Sequence, residues 1–277
     1  MSGVIFRTAQ LPELAQVLDW AAQEGWNPGL EDAAAFHAAD PDGFFVATIG
    51  GQTVAAISVV NHCDSFAFLG LYLCHPEFRG QGIGFALWRH ALNHAGQRNI
   101  GLDGVPAQEA NYARSGFVFS GRTLRLSGQV APEPLDYPIA SSSDYPELEK
   151  LDIAANGMSR PRFLRAWLEN QPTRKTVLLR KGGAVCGFAT ARICRQGCKI
   201  GPVVATNAED AYRLACAAAG GLQQDRVVID IPDAAASFAA LLRQNGFTND
   251  FSTARMFRGS ALQSGATLQA VASLELG

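Results

Sequence analysis

The stretch HPEFRGQGIGFALWRH, residues 75–90, places an arginine and three glycines immediately before a segment with apolar residues at helical spacing. A glycine weakens a helix by roughly 1 kcal/mol relative to alanine, so Gly80, Gly82 and Gly84 need a reason other than helix stability. The residues just before this stretch, FAFLGLYLC, are typical of a buried strand. A strand, a glycine-rich turn and a helix in this order predict an α/β fold in which the turn approaches a ligand closely.

Features of this first unit recur later in the chain. GGQTVAAISVV, a Gly-Gly turn followed by a strand of small and β-branched residues, resembles the later KGGAVCGFATA. Phe117 and Phe247 are separated by 130 residues, and Gly70 and Gly201 by 131 residues. Such a near-constant offset indicates two copies of one α/β unit.

The two copies are separated by SGQVAPEPLDYP, a proline-rich segment with little periodicity. We therefore predict a first domain at residues 1–128, a linker at 129–137 and a second domain at 138–277. A chain of 277 residues is long enough for two domains that each bury a core of their own.

Composition and charge exclude several classes of function. The formal net charge of −2 gives no overall attraction to nucleic acid or to an anionic membrane. No apolar run reaches the roughly 18 residues of a membrane span, and MSGVIFRTAQ lacks the regions of a signal peptide. We expect a cytoplasmic protein with reduced cysteines, no metal site, and no nucleic-acid or membrane partner.

RGQGIG, residues 79–84, can be compared with three phosphate-binding loops. A P-loop ends in Gly-Lys followed by Ser or Thr, which this loop lacks. A dinucleotide-binding fingerprint needs a third glycine where Phe85 stands. The acyl-CoA pattern Arg/Gln-x-x-Gly-x-Gly/Ala is matched by Arg79, Gly82 and Gly84. The first N–H groups of a helix lack intrahelical partners, so they can bind a pyrophosphate without a lysine. A turn that serves packing alone is the alternative.

Together with NYARSGF farther along, residues 4–126 resemble the GNAT superfamily of acetyl-CoA-dependent N-acyltransferases. GWNPG, GLDGV, IGPV and RMF extend the resemblance to tandem GNAT proteins, in which an active first domain precedes a degenerate second one. The resemblance implies an α/β (α+β) fold with a mixed, mostly antiparallel twisted sheet flanked by helices in each domain. It also implies acetyl-CoA as cosubstrate.

The resemblance assigns several residues of the first domain to acetyl transfer. Tyr112 stands where many members carry the tyrosine that protonates the sulfur of CoA; the alternative is a ring that serves packing only. The residues implied in binding acetyl-CoA come from the strand, the loop and the position before the tyrosine: Leu71, Tyr72, Leu73, Cys74, Arg79, Gly80, Gln81, Gly82, Ile83, Gly84 and Asn111.

Acyl transfer to an amine also needs a base or a water relay, because an alkylamine with a pKa of about 10 is mostly protonated at neutral pH. Asp103, flanked by glycines in GLDGV, is the first candidate for this base, and His75, Glu24 and His62 are others. Trp26 and Glu24, in EGWNPG, are expected at the acceptor site. The acceptor is expected to be a small-molecule primary amine, bound by a monomer or a homodimer.

The second copy lacks both chemical features of the first. ATNAEDAYRL, residues 205–214, stands at the position of the glycine loop, and Glu209 and Asp210 would repel a pyrophosphate there. Leu242 stands at the position of Tyr112. We expect a structural lid or an acceptor-specificity wall. For the whole chain we expect an acetyl-CoA-dependent N-acetyltransferase, with a catalytically silent acyl-CoA-binding or regulatory module as the alternative.

Overall fold

The structure is a computed structural model that describes residues 3–131 and 137–277. Residues 132–136 of the predicted linker lie outside the described residues. At the start of that linker, Gln129 still belongs to a strand, and the N–H of Val130 donates to the carbonyl oxygen of Asp225 at 2.8 Å. The chain thus keeps its sheet contacts into the first residues of the predicted linker.

The elements of the first copy, in chain order, are β1 (Val4–Thr8), α1 (Leu11–Gln23), α2 (Asp32–Ala39), β2 (Phe44–Ile49), β3 (Gln52–Asn61), β4 (Phe66–Cys74), α3 (Ile83–Leu92), β5 (Asn99–Gly104), α4 (Glu109–Arg114) and β6 (Val118–Gln129). Those of the second copy are α5 (Tyr145–Asn156), α6 (Pro161–Leu168), β7 (Arg174–Lys181), β8 (Ala184–Ile193), β9 (Cys198–Val204), α7 (Ala208–Gly220), β10 (Arg226–Pro232), α8 (Ala236–Gln244), β11 (Thr248–Arg258) and β12 (Leu268–Ala270).

Two tight hairpins confirm the repeated Gly-Gly turns that the sequence predicts. Gly50 and Gly51 join β2 to β3 with φ angles of +57° and +84°. Gly182 and Gly183 join β7 to β8 with φ angles of +59° and +87°. Two consecutive positive φ angles match the twist of a hairpin, and glycine adopts them without the steric cost that a Cβ imposes.

One continuous sheet runs through both copies, in the order β1-β2-β3-β4-β5-β11-β6-β10-β9-β8-β7, with β12 beside β9. The pairs β4–β5 and β9–β10 are parallel, and the other strand pairs are antiparallel. This confirms the mixed, mostly antiparallel sheet flanked by helices. The sequence did not predict that the final strands are exchanged: β11 lies between β5 and β6, and β6 lies between β11 and β10.

The helices pack on the sheet and form one hydrophobic core in each copy and a further core that the two copies share. Helix α3 packs through Leu87 and Trp88 on the strands of the first copy, and α7 packs through Leu214 on those of the second. A third core is shared between the copies. There the ring of Phe36 in α2 stacks on Trp167 in α6 at 5.8 Å, so the two halves also interlock on the opposite face.

Segment 271–277 crosses both copies at equivalent glycines. A Cβ on Gly70 would lie 2.1 Å from the carbonyl oxygen of Glu275, and a Cβ on Gly201 would lie 2.1 Å from that of Val271. Glycine within a strand often marks such a close approach of another backbone. The offset of 131 residues between these two glycines therefore reflects the path of one segment over both halves of the sheet.

Two buried side chains hold the end of this segment. Nε2 of His62, in the first copy, donates to the carbonyl oxygen of Leu276 at 2.8 Å. Nη1 of Arg160, in the second copy, donates to the oxygen of Gly277 at 2.6 Å, while the same guanidinium pairs with Asp152. Burial, followed by the charge of Arg160, lowers the pKa of His62 to about 4.

Replacing Gly70 by alanine is expected to displace segment 271–277, because a Cβ would overlap the carbonyl of Glu275. We expect Gly70→Ala to lower the free energy of unfolding by about 1–3 kcal/mol in urea titrations. Gly221→Ala is the control, since a Cβ there has only ordinary contacts at 3.5 Å or more. An equal effect of the two substitutions would contradict the close crossing.

The neutral imidazole of His62 is expected to make folding sensitive to acid. Its pKa falls from 6.5 to about 4 on folding, so the unfolded chain binds the extra proton and stability is lost as the pH falls from 6.5 to 4. Between pH 7 and pH 4 we expect His62→Gln to lose about 3 kcal/mol less stability than the wild type in urea unfolding. His37→Gln, at a partly exposed helix position, is the control and should lose as much stability as the wild type between pH 7 and pH 4. If His62→Gln also loses as much stability as the wild type over this range, a buried neutral ring at His62 is excluded.

Candidate active site

A cavity of about 400 Å³ opens between β4 and β5, where these parallel strands separate. Their pairing ends at Leu69 and Leu102, and the residues beyond that point in both strands line the cavity. Leu71 has a φ of +46° and lies at an irregularity in the pairing of β4 with β3. A volume of this size is in the usual range for a small-molecule site.

The glycine loop forms one end of this cavity. Gly80 and Gly82 have φ angles of +76° and +79°, and a Cβ on either would meet no atom within 4 Å. Gly82 is the N-cap of α3 and supplies no side chain to the first N–H groups of the helix. Open space beside a bare helix start leaves those N–H groups to bind an anion, so the loop fits a pyrophosphate.

The predicted acetyl-CoA residues fall into two groups. Residues 71–74 line the cavity together with Arg79, Gly80, Gly82 and Gly84. Ile83 instead points into the core, so it can offer only its backbone. The side chain of Gln81 is exposed and donates to the carbonyl of Glu77, and that of Asn111 is exposed and bonded to Gln108 and Arg114. These two side chains lie outside the cavity lining.

Tyr112 lies in α4 with its ring buried against the cavity wall. The ring stacks on Trp88 at 5.7 Å, and a Cβ on Gly104 would come within 2.2 Å of it. Burial raises the pKa of Tyr112 to about 12. Tyr72 contacts the same tryptophan edge-on at 5.3 Å, and burial raises its pKa too. Two phenols that stay protonated at neutral pH thus border the space between the diverging strands.

Asp103 lines the cavity, but its carboxylate is occupied. Oδ1 accepts hydrogen bonds from the hydroxyls of Thr123 and Thr253, each at 3.1 Å, and Oδ2 pairs with Arg255 at 2.5 Å. Arg255 is also its cross-strand partner in the β5–β11 pair. A carboxylate with these three partners is held as part of the sheet, so the geometry does not favour Asp103 as the base.

The other predicted acceptor and base residues are dispersed. Trp26 lines the cavity, whereas Glu24 is half-exposed and pairs with Arg79 at 2.5 Å. His62 is buried against segment 271–277, away from the cavity lining. The ring of His75 is not part of that lining, although it packs against Phe78, which is, and against Trp20. The two histidines proposed as bases are therefore not brought to the site.

The part of the cavity wall that comes from distant segments was missed at the sequence level; its residues are Arg125, Phe251, Thr253, Leu274 and Glu275. They come from the exchanged strands β6 and β11 and from segment 271–277. Strand exchange carries no local sequence signal, because it depends on pairing between distant segments. The one usable signal was Gly70, since glycine in a buried strand suggests that another backbone lies close to it.

The second copy has a helix start of a different kind. Helix α7 is capped by Asn207, whose side-chain oxygen accepts the N–H of Asp210 at 2.8 Å. Asp210 also pairs with Lys181 at 2.7 Å, and Leu242 is buried in the core of this copy. The first turn is therefore satisfied by the protein itself, and its carboxylates oppose binding of a phosphate.

No helix in residues 3–131 or 137–277 is long and apolar enough to cross a membrane. The same residues contain no group of three or more His, Cys, Asp or Glu side chains arranged to hold a metal ion.

Comparison with known sequences agrees with this geometry. The acetyltransferase (GNAT) family profile matches residues 11–117, and the profile of an acetyltransferase (GNAT) domain matches residues 148–268. The holothin acyltransferase of Pseudoalteromonas sp. (strain SANK 73390) is 36% identical over 278 residues, which cover 98% of this chain and 94% of that protein. The chain belongs to the GNAT family of acyltransferases. Both copies are GNAT domains, and the protein is a tandem GNAT enzyme.

Solved structures support the tandem GNAT fold at low sequence identity. A Pyrococcus horikoshii protein, named as a candidate acetyltransferase, superposes over 100% of this chain and 97% of its own with a TM-score of 0.81 and 21% identity. A tandem GNAT protein from the clavulanic acid biosynthesis pathway superposes over 93% of this chain and 99% of its own, with a TM-score of 0.61 and 15% identity. At these identities the likeness concerns the fold alone.

Gly82→Ala is expected to weaken the binding of acetyl-CoA roughly tenfold or more, because the added methyl group enters the open space beside the helix start. Gly183→Ala is the matched control: its φ of +87° is equally strained, and its Cβ also meets no atom within 4 Å. Each substitution should lower stability by about 1 kcal/mol. Calorimetric titration with acetyl-CoA should separate them, and equal affinities would argue against a cradle at the glycine loop.

Proposed function

We propose that this protein is an acetyl-CoA-dependent N-acetyltransferase that acetylates a primary amine of a small molecule by direct attack. The observation that carries the proposal is a single cavity that reaches from the glycine loop to the buried Tyr112. Membership in the GNAT family supports acyl transfer as the reaction class. The acceptor and the acyl chain belong to the proposal.

Residues of the first copy would hold the cosubstrate. The bare start of α3 would bind the pyrophosphate, and the backbone of residues 71–74 would lie beside the thioester. Acetyl-CoA supplies an activated acetyl group and a thiol leaving group. N–H groups preset at the point where the carbonyl oxygen gains charge would stabilise the transition state without reorganisation.

Tyr112 would donate a proton to the departing sulfur. Its pKa of about 12 keeps the phenol protonated at neutral pH, so the donor is always present. The same desolvation acts on a thiolate formed in this buried cavity and raises its affinity for a proton. The apolar surroundings that Trp88 and Gly104 provide make the phenol a weaker acid as well, so the transfer relies on the matching rise in the affinity of the thiolate for the proton.

The acceptor would enter from the side formed by the exchanged strands. Trp26 and Phe251 line both this cavity and a smaller one of about 270 Å³ beside it. The name of the Pseudoalteromonas relative makes holothin the first acceptor to test. A silent acyl-CoA-binding module, the alternative, would bind acetyl-CoA and turn over no amine.

Tyr112→Phe is expected to lower kcat roughly 100-fold or more while leaving the affinity for acetyl-CoA unchanged, since the ring still stacks on Trp88. The assay is release of CoA with holothin as acceptor. Tyr72→Phe is the matched control, because that phenol contacts the same tryptophan. A larger loss in Tyr72→Phe would transfer the acid role to Tyr72, and no loss in either would exclude a tyrosine acid.

A further inference from the structure

Glu275 is an acid of the cavity whose carboxylate is left without a partner among the described residues. It is only 3% exposed and lines the cavity with Asp103, the other acid there. Asp103 has three partners, whereas the carboxylate of Glu275 makes no hydrogen bond to any residue in the two described ranges. Because this residue lines the cavity and its carboxylate has no protein donor, a ligand with N–H groups can bind it there.

Two cations near Glu275 are already engaged. Arg125 forms a two-pronged pair with Asp230, at 2.7 and 2.9 Å, and Nζ of Lys199 donates to the carbonyl of Trp26 at 2.8 Å. Burial alone would lower the pKa of Arg125, but Asp230, with a smaller contribution from Glu275, outweighs it and raises the pKa. Burial, then Arg125, lowers the pKa of Lys199, and Glu275 opposes this. Neither cation occupies the carboxylate oxygens of Glu275.

The backbone of Glu275 is held in a fixed place. Its carbonyl sits over Gly70, in the space that a Cβ would fill, and the next two residues are anchored by His62 and Arg160. A functional side chain is effective when rigid surroundings hold it in the productive geometry. Segment 271–277 therefore carries a preset carboxylate from the second copy into the site of the first.

We infer that Glu275 binds the acceptor amine in the cavity and takes a proton from its nitrogen during acetyl transfer. The inference rests on the proposed function, and it assigns a catalytic residue of that reaction to the degenerate second copy. Trp26, Phe251 and Leu274 make the surrounding wall largely apolar. The acceptor that fits this wall is a compact amine with an apolar skeleton, whose nitrogen would meet the carboxylate of Glu275.

The step balances in atoms and charge. The neutral amine nitrogen forms a bond to the thioester carbon, the carbon–sulfur bond breaks, and its electron pair leaves on sulfur. Tyr112 gives its proton to sulfur, and Glu275 takes the proton that nitrogen must lose once it is bonded to carbon. Water returns that proton from Glu275 to the tyrosinate, so an amide and the CoA thiol are formed and both residues regain their starting states.

The test compares Glu275→Gln and Glu275→Asp with the wild type, using the full chain, acetyl-CoA, and holothin or benzylamine as acceptor. Glu275→Gln keeps the shape and removes the negative charge, so kcat/KM for the amine should fall roughly 100-fold or more while acetyl-CoA binds as before. Glu275→Asp should recover part of this loss. Glu209→Gln, which removes an exposed acid on α7, is the control and should match the wild type.

The outcomes separate the inference from the proposed function. If the wild type and Glu275→Gln acetylate the amine equally, the role of Glu275 is excluded and the enzyme proposal stands. If the wild type binds acetyl-CoA but acetylates neither amine, the proposed function fails and the inference falls with it. If the loss in Glu275→Gln is accompanied by a lower unfolding midpoint or a weaker affinity for acetyl-CoA, it reflects a disturbed structure, and a specific proton-accepting role of Glu275 is excluded.

Discussion

The backbone pairing of β11 with β5 on one side and β6 on the other holds the molecule together. Without it, each copy would expose a strand edge, with N–H and C=O groups that need partners. Two ion pairs cross the exchanged strands, Asp103 with Arg255 and Arg125 with Asp230, and the two partners of each pair stand directly opposite each other on neighbouring strands. Each joins a residue of the first copy to one of the second, so the charges that border the cavity also fix how the copies meet.

The two copies share a fold, but only the first has a helix start that is open to a phosphate. Both copies place a helix at the same point of the unit, α3 after β4 and α7 after β9, but α3 starts at a bare glycine and α7 at an asparagine cap with acids in its first turn. A helix start that its own side chains satisfy has nothing left to offer a phosphate. The second copy contributes instead through β11 and segment 271–277, which complete the cavity wall.

Most of the charged side chains around the cavity are already paired within the protein. Asp103 and Asp230 are bound to arginines, and Lys199 is bound to the carbonyl of Trp26. Glu275 is left facing the cavity at the end of a segment clamped by both copies. Tyr112, in apolar surroundings, keeps its proton. A phenol that keeps its proton and a carboxylate without a hydrogen-bond partner among the described residues thus line the same cavity, an arrangement suited to acid–base chemistry.

The sequence by itself determined what depends on local patterns. The strand, glycine loop and helix around Gly82, the two Gly-Gly hairpins, the repeat, and the difference between Tyr112 and Leu242 all follow from short-range spacing and backbone conformation. Tertiary structure alone decided the exchange of β6 and β11, the occupation of Asp103 by Arg255, and the arrival of Glu275 at the cavity. These features depend on contacts between segments far apart in the chain. Their stability comes from the pairing of strand edges, from strand register and from burial, none of which a local sequence pattern encodes.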